Sequence, residues 1–157
     1  MSLLRSFGFA FAGIWHSINY ERNMRIHLVA TAYVLVFSLF FPLSAAEYAI
    51  LFVLIGLVLA LELLNTALEA AADVITKERN PYIKIMKDAA AGAVLIAAMA
   101  SVAVAAVIFW KPEGFVNLYS FFIGQPLWFL LLGVGTVLSL LFIYRSPMQI
   151  AAHFKNK

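Results

Sequence analysis

From Leu3 to about Tyr20 the apolar positions recur at helical spacing. Leu3, Leu4, Phe7, Phe11, Ile14, Trp15 and Ile18 fall within about 120° of a wheel drawn at 100° per residue. Arg5, Ser6, His16 and Ser17 lie opposite, and Phe9 alone breaks the pattern. This predicts an amphipathic helix lying in a membrane interface. A cleaved signal peptide would need a continuous apolar stretch and a small-residue cleavage site, and neither is clear here. A polar patch, Glu21 to His27, follows. The chain is then apolar from Leu28 to Leu43, just long enough to span a bilayer with its flanks, and Pro42 and Ser44 mark an end. A second apolar run starts at Tyr48 and reaches Leu61; helix-favouring residues continue it to Ile75. Asn80-Pro81 fits an N-cap followed by proline at the first helical position, and opens a third helix to Trp110. Lys111-Pro112-Glu113-Gly114 ends it. A fourth apolar run, roughly Pro126 to Tyr144, precedes a short basic tail.

Composition makes these runs membrane spans rather than core helices of a soluble domain. Of 157 residues, 64% are hydrophobic and 12% charged, against about 25% charged in soluble domains. That leaves too little polar surface to cover a globule in water. Cysteine is absent, which excludes disulfides and thiolate metal sites. The expected fold class is an all-α integral membrane protein, with an N-terminal surface helix, three core transmembrane helices and a fourth at the C-terminus.

Charge sets the expected orientation. With the N-terminus inside, Arg5, Arg22, Arg25, Lys77, Arg79, Lys84 and Lys87 are cytoplasmic, as are Arg145, Lys155 and Lys157 if the fourth run spans. Only Lys111 of the 11 basic residues is then outside, a strong positive-inside asymmetry. The expected location is a bacterial cytoplasmic membrane.

The second helix carries the candidate chemistry. Glu62, Asn65, Glu69 and Asp73 are spaced i, i+3, i+7, i+11 and share one face within roughly 80°. Counted from Tyr48, Glu62 lies about 21 Å and Glu69 about 31 Å along the helix at 1.5 Å per residue. Glu69 is thus at the far membrane boundary and Glu62 two turns deeper, where a carboxylate is costly and marks function. Glu21, Lys87 and Asp88 reach the same level. Several carboxylates and a lysine at a boundary suit a hard cation and a polyphosphate: Mg²⁺ takes one or two carboxylates plus phosphate oxygens, and lysine neutralises phosphate as a point charge. The deeper Glu62 would face an alcohol presented from the lipid. That arrangement describes phosphoryl transfer.

Soluble-kinase phosphate loops are absent; neither G-x-x-x-x-G-K-[ST] nor G-x-G-x-x-G occurs. Gly133-Val134-Gly135 and the small residues around Ala70 and Ala90 read as helix-packing surfaces. His16, His27 and His153 show no metal spacing.

Glu62-Leu-Leu-Asn65-Thr-Ala-Leu-Glu69-Ala-Ala-Ala-Asp73, followed by Lys87-Asp88-Ala-Ala-Ala-Gly92, resembles the prokaryotic diacylglycerol kinase family, which includes the undecaprenol kinases. Asn19-Tyr20-Glu21 with Arg25 looks like its N-terminal motif. The resemblance covers about residues 5 to 110. It implies a homotrimer with three transmembrane helices and a surface helix per subunit, and active sites shared between subunits. It implies Glu62 as catalytic base, Glu21 and Glu69 as metal ligands, and Glu78, Arg79, Asn80, Lys87 and Asp88 as further ATP contacts. Asn65, Asp73 and Arg25 would support the site. N-Y-E-R-N-x-R and the K-D-x-A-A-G-A-V ending look more like the undecaprenol kinase branch, with diacylglycerol the alternative substrate.

Two features depart from the family pattern. An aromatic ATP-contact position is Phe9 here rather than Tyr. Residues 115–157 lie outside the minimal pattern, so the chain divides into a kinase core over 1–114 and an additional C-terminal part. Different readings are a small transporter or proton relay, which would spread carboxylates through the membrane depth, and a non-catalytic scaffold, which leaves the stripe unexplained.

Overall fold

A computed structural model describes residues 3–76 and 78–149. Lys77, His153, Lys155 and Lys157 lie outside the described residues. Among the described residues six helices follow in order: α1 (Leu3–Tyr20), α2 (Arg22–Ser38), α3 (Ala45–Ile75), α4 (Pro81–Ile108), α5 (Pro112–Gly124) and α6 (Leu127–Tyr144). The chain is an all-α integral membrane protein, with no strand among the described residues. Three helices among the described residues are long and apolar enough to cross a bilayer: α3 with 31 residues, α4 with 28 and α6 with 18. The α2 helix differs from the expected span over Leu28–Leu43. It begins six residues earlier, taking in the polar patch, and stops at Ser38 after 17 residues. At 1.5 Å per residue that is about 25 Å, short of a ~30 Å hydrocarbon core. Leu39 to Leu43 carry the apolar chain onward in turns.

Helix boundaries follow local chemistry. Ser44 and Glu47 form a capping box that starts α3: Glu47 N donates to Ser44 Oγ at 3.3 Å and Ser44 N donates to Glu47 Oε2 at 2.7 Å. Lys111 joins this cap, donating to Pro42 O at 2.9 Å and pairing with Glu47 Oε1 at 2.8 Å. The basic residue separated from all the others by the positive-inside reading is therefore neutralised. Asn80 caps α4 through Oδ1, which accepts from Tyr82 N at 2.9 Å and Ile83 N at 3.4 Å.

The broadest interhelical contact joins α3 to α4, and α2 touches α1, α3 and α6. Buried positions on α3 are Leu51, Val58, Glu62, Asn65 and Ala72, which share an arc of about 80°. The acidic stripe is thus the continuation of the apolar core stripe. Glu62 and Asn65 are buried because they occupy the face that α3 must cover.

Residues 110–149 are less detached than expected. The segment read as a helix end, Lys111 to Gly114, starts α5 instead, with Pro112 at the first helical position and Glu113 in the first turn. Phe41 lies against Gly114 and is boxed edge-on by Phe109 (centroids 4.9 Å apart) and Phe115 (5.2 Å). α6 returns along α2, where Tyr33 Oη and Thr136 Oγ1 are 3.1 Å apart. After Tyr144 the chain makes a capped helical turn: Gln149 N donates to Ser146 Oγ at 3.2 Å, and Ser146 N donates to Gln149 Oε1 at 3.0 Å.

Candidate active site

The site forms at the end of the bundle where α1 meets α2 and where α3 meets α4. Glu21 breaks the helical path between α1 and α2. Its backbone is extended, at φ −99° and ψ 117°, and its amide donates to Ser17 O at 2.8 Å. This break aims Glu21 toward the polar half of α3. Burial, then the neighbouring Glu69 carboxylate, push the Glu21 carboxyl above its ordinary value. Glu21 and Glu69 both also act electrostatically on Glu62. Carboxylates from α3 and from the α1–α2 junction therefore influence one another.

Glu62 is 1% exposed, and its Oε1 has no hydrogen-bond partner. An unpaired buried polar atom costs about 1–3 kcal/mol, more when charged. Asn65 is also buried, with an unpartnered Oδ1; its Nδ2 donates to Glu69 Oε1 at 3.0 Å. Thr66 Oγ1 donates to Glu62 O at 3.0 Å and lies 3.2 Å from Ser17 Oγ. Ser17 and Thr66 were not singled out in the sequence. A hydroxyl pair is visible only once α1 is laid against α3.

Lys87 donates to Asp73 Oδ1 at 2.6 Å, bridging α4 to the end of the α3 stripe. Asp88 is occupied locally by Lys84, one turn earlier on α4. Glu78, Arg79 and Asn80 are exposed in the α3–α4 connection, with the Asn80 side chain engaged as the α4 cap. Arg25 is buried and spends its guanidinium on backbone carbonyls: Ile18 O at 2.8 Å, Asn19 O at 3.1 Å and Ile143 O at 3.1 Å. Phe9, at the aromatic position, is exposed.

Among the described residues no three acidic or imidazole side chains converge closely enough to hold a metal by themselves. Mg²⁺ does not need three; one or two carboxylates plus phosphate oxygens suffice. The mutually repelling Glu21 and Glu69 carboxylates, with Asn65 fixing one of them, fit that ion. Deeper along α3 an apolar cavity of about 230 Å³ opens between α2, α3 and α4, lined by His27, Thr31, Leu51, Val58, Leu59 and Ser101 among others. Val58 lies one turn before Glu62 on the same face of α3.

A family model described as prokaryotic diacylglycerol kinase matches residues 8–109, which include every residue of this constellation. The chain belongs to that family. An undecaprenol kinase of Bacillus subtilis (strain 168) is 44% identical over 105 residues, covering 67% of this chain and 85% of the relative. A diacylglycerol kinase of Synechocystis sp. is 40% identical over 112 residues, covering 71% of this chain and 64% of that relative. No solved structure matches significantly. As a member of this family the chain is a lipid kinase, a transferase seated in a membrane. α5 and α6 lie beyond the matched residues.

Proposed function

We propose that the protein transfers the γ-phosphate of MgATP to the hydroxyl of a membrane lipid, with undecaprenol the preferred acceptor. The observation that carries this reading is Glu62: a buried carboxylate one turn along α3 from Val58, which lines an apolar cavity, with one oxygen free to accept a proton. A lipid hydroxyl is a poor nucleophile and must lose its proton as it attacks phosphorus. Glu62 takes that proton. A well-placed general base contributes about 10²–10⁴-fold.

Glu21 and Glu69 hold Mg²⁺, and Asn65 orients Glu69. When bound, the ion neutralises charge developing on the β- and γ-phosphate oxygens. Lys87 exchanges its Asp73 partner for a phosphate. Asp88, Glu78, Arg79 and Asn80 border the nucleotide in the exposed connection. Glu62 lies two turns from Glu69 on α3, about 10 Å along the axis. That is long for a shared ion and leaves room for the hydroxyl and the transferring phosphate. A transporter would spread its buried polar groups through the membrane depth. Here Ser17, Asn19, Arg25, Glu62, Asn65 and Ser146 gather at one end, and Ser38 is the exception.

Basic residues cluster at the same end, which supports a cytoplasmic N-terminus and an ATP site facing the cytoplasm. The homotrimer with shared sites rests on the resemblance to the family. The undecaprenol preference rests on the 44% identity to a protein of that name. The test offers undecaprenol and diacylglycerol in competition to purified protein with MgATP. Predominant undecaprenyl phosphate supports the reading; predominant phosphatidic acid replaces the acceptor, and no phospholipid product from either refutes the reading.

A further inference from the structure

Arg25 closes two helices at once. The last four carbonyls of a helix lack intrahelical partners and form its negative end. Ile18 and Asn19 belong to the last turn of α1, Ile143 to the last turn of α6, and the one guanidinium donates to all three. Asn19 joins α1 to the turn that follows α6. Its Nδ2 donates to Trp15 O at 2.8 Å, and its Oδ1 accepts from Met148 N at 3.2 Å. The Met148 amide is available because Ser146 and Gln149 form a capping box that sets the turn following α6. Ser146 is buried in that junction.

Glu21 lies between Asn19 and Arg25, at the extended break between α1 and α2, where its amide still bonds to Ser17 O but its backbone leaves the helical path. The residues on both sides of it are therefore tied to residues 143–149. We propose that the C-terminal segment 143–149 positions Glu21 for metal binding, with Asn19, Arg25, Ser146 and Gln149 as the positioning residues. The family match ends at residue 109, so this support comes from outside the matched core. The proposal rests on the reading of Glu21 as a metal ligand.

The test is Mn²⁺ affinity of the full chain in detergent, with a non-hydrolysable ATP analogue bound, read from the EPR signal of free Mn²⁺. Glu21→Gln establishes the ligand role by weakening Mn²⁺ binding. The double variant Ser146→Ala/Gln149→Ala is expected to weaken it about tenfold, the usual effect of removing a group that holds a metal ligand in place. Gln149→Glu keeps the capping box and wild-type affinity. Thr136→Val breaks the α2–α6 contact in mid-helix and also keeps wild-type affinity. If Glu21→Gln weakens binding while the double variant matches wild type, the positioning claim fails alone. It also fails if Thr136→Val weakens binding as much as the double variant does. If Glu21→Gln binds Mn²⁺ like wild type, the ligand reading itself fails.

Discussion

Asn65 donates from Nδ2 to Glu69 Oε1 across one turn of α3, at 3.0 Å, while its own Oδ1 stays buried without a partner. The bond uses one donor to hold a carboxylate in a fixed direction. Replacing Asn65 with Ala frees Glu69 to rotate and removes the second polar atom of the stripe. Groups that orient a metal ligand are worth about 10–100-fold in affinity. Asn65→Ala is therefore expected to raise the Mg²⁺ concentration for half-maximal activity by about tenfold or more, with a smaller change in turnover at saturating Mg²⁺. A Mg²⁺ titration identical to wild type would remove Asn65 from the metal site.

Glu69→Gln keeps the side-chain volume and a hydrogen-bonding group for Asn65, but it loses the charge that attracts a cation. Activity is expected to fall mainly through weaker metal binding, and raised Mg²⁺ or Mn²⁺ partly restores it. An activity loss with unchanged metal dependence would show that Glu69 is not a ligand.

The Lys87–Asp73 pair is solvent-accessible, with side chains 34% and 71% exposed. Exposed ion pairs contribute only about 0–1 kcal/mol. Asp73→Asn should leave thermal stability nearly unchanged, whereas Lys87→Met should raise the KM for ATP, because the lysine's role is to meet phosphate. Melting curves and ATP kinetics on the same preparations separate the two effects. A large stability loss in Asp73→Asn, or an unchanged ATP KM in Lys87→Met, contradicts this division.

Gly114 sits where a Cβ would collide with the Phe41 ring. That ring is held edge-on by Phe109 and Phe115 and has little room to retreat. Overpacking of this kind costs about 1–3 kcal/mol. Gly114→Ala should lower the melting temperature in detergent while the folded protein keeps its turnover, since Gly114 lies at the α5 start, away from the carboxylates. An unchanged melting temperature would mean that the α4–α5 corner is looser than its packing implies.

The site was legible where chemistry repeats at helical spacing. Glu62, Asn65 and Glu69 share a face by arithmetic alone, and Asn80-Pro81 announces its own cap. The α5 helix is hidden in the sequence because Lys111-Pro112-Glu113-Gly114 reads as a stop. The same Pro followed by Glu is an N-terminal signal, and only the packing of Phe41 over Gly114 decides between them. The turn after α6 carried a readable signature, Ser146-Pro147-Met148-Gln149, with a capping pair three residues apart. Its function was not readable, because no local pattern places Met148 against Asn19, 129 residues away in sequence. Arg25 was expected to support the site. That its guanidinium meets backbone carbonyls of two helices depends on tertiary structure.

Glu62→Gln tests the central claim most directly, because it retains volume and hydrogen bonding but cannot take the hydroxyl proton. Turnover and MgATP affinity, measured on one preparation with a long-chain lipid alcohol, should separate. The expected result is a fall in kcat of about 10²–10⁴-fold with nucleotide affinity nearly unchanged. Near-normal turnover would contradict the assignment of Glu62 as base, and lost nucleotide binding in an intact protein would move Glu62 into the metal or nucleotide shell.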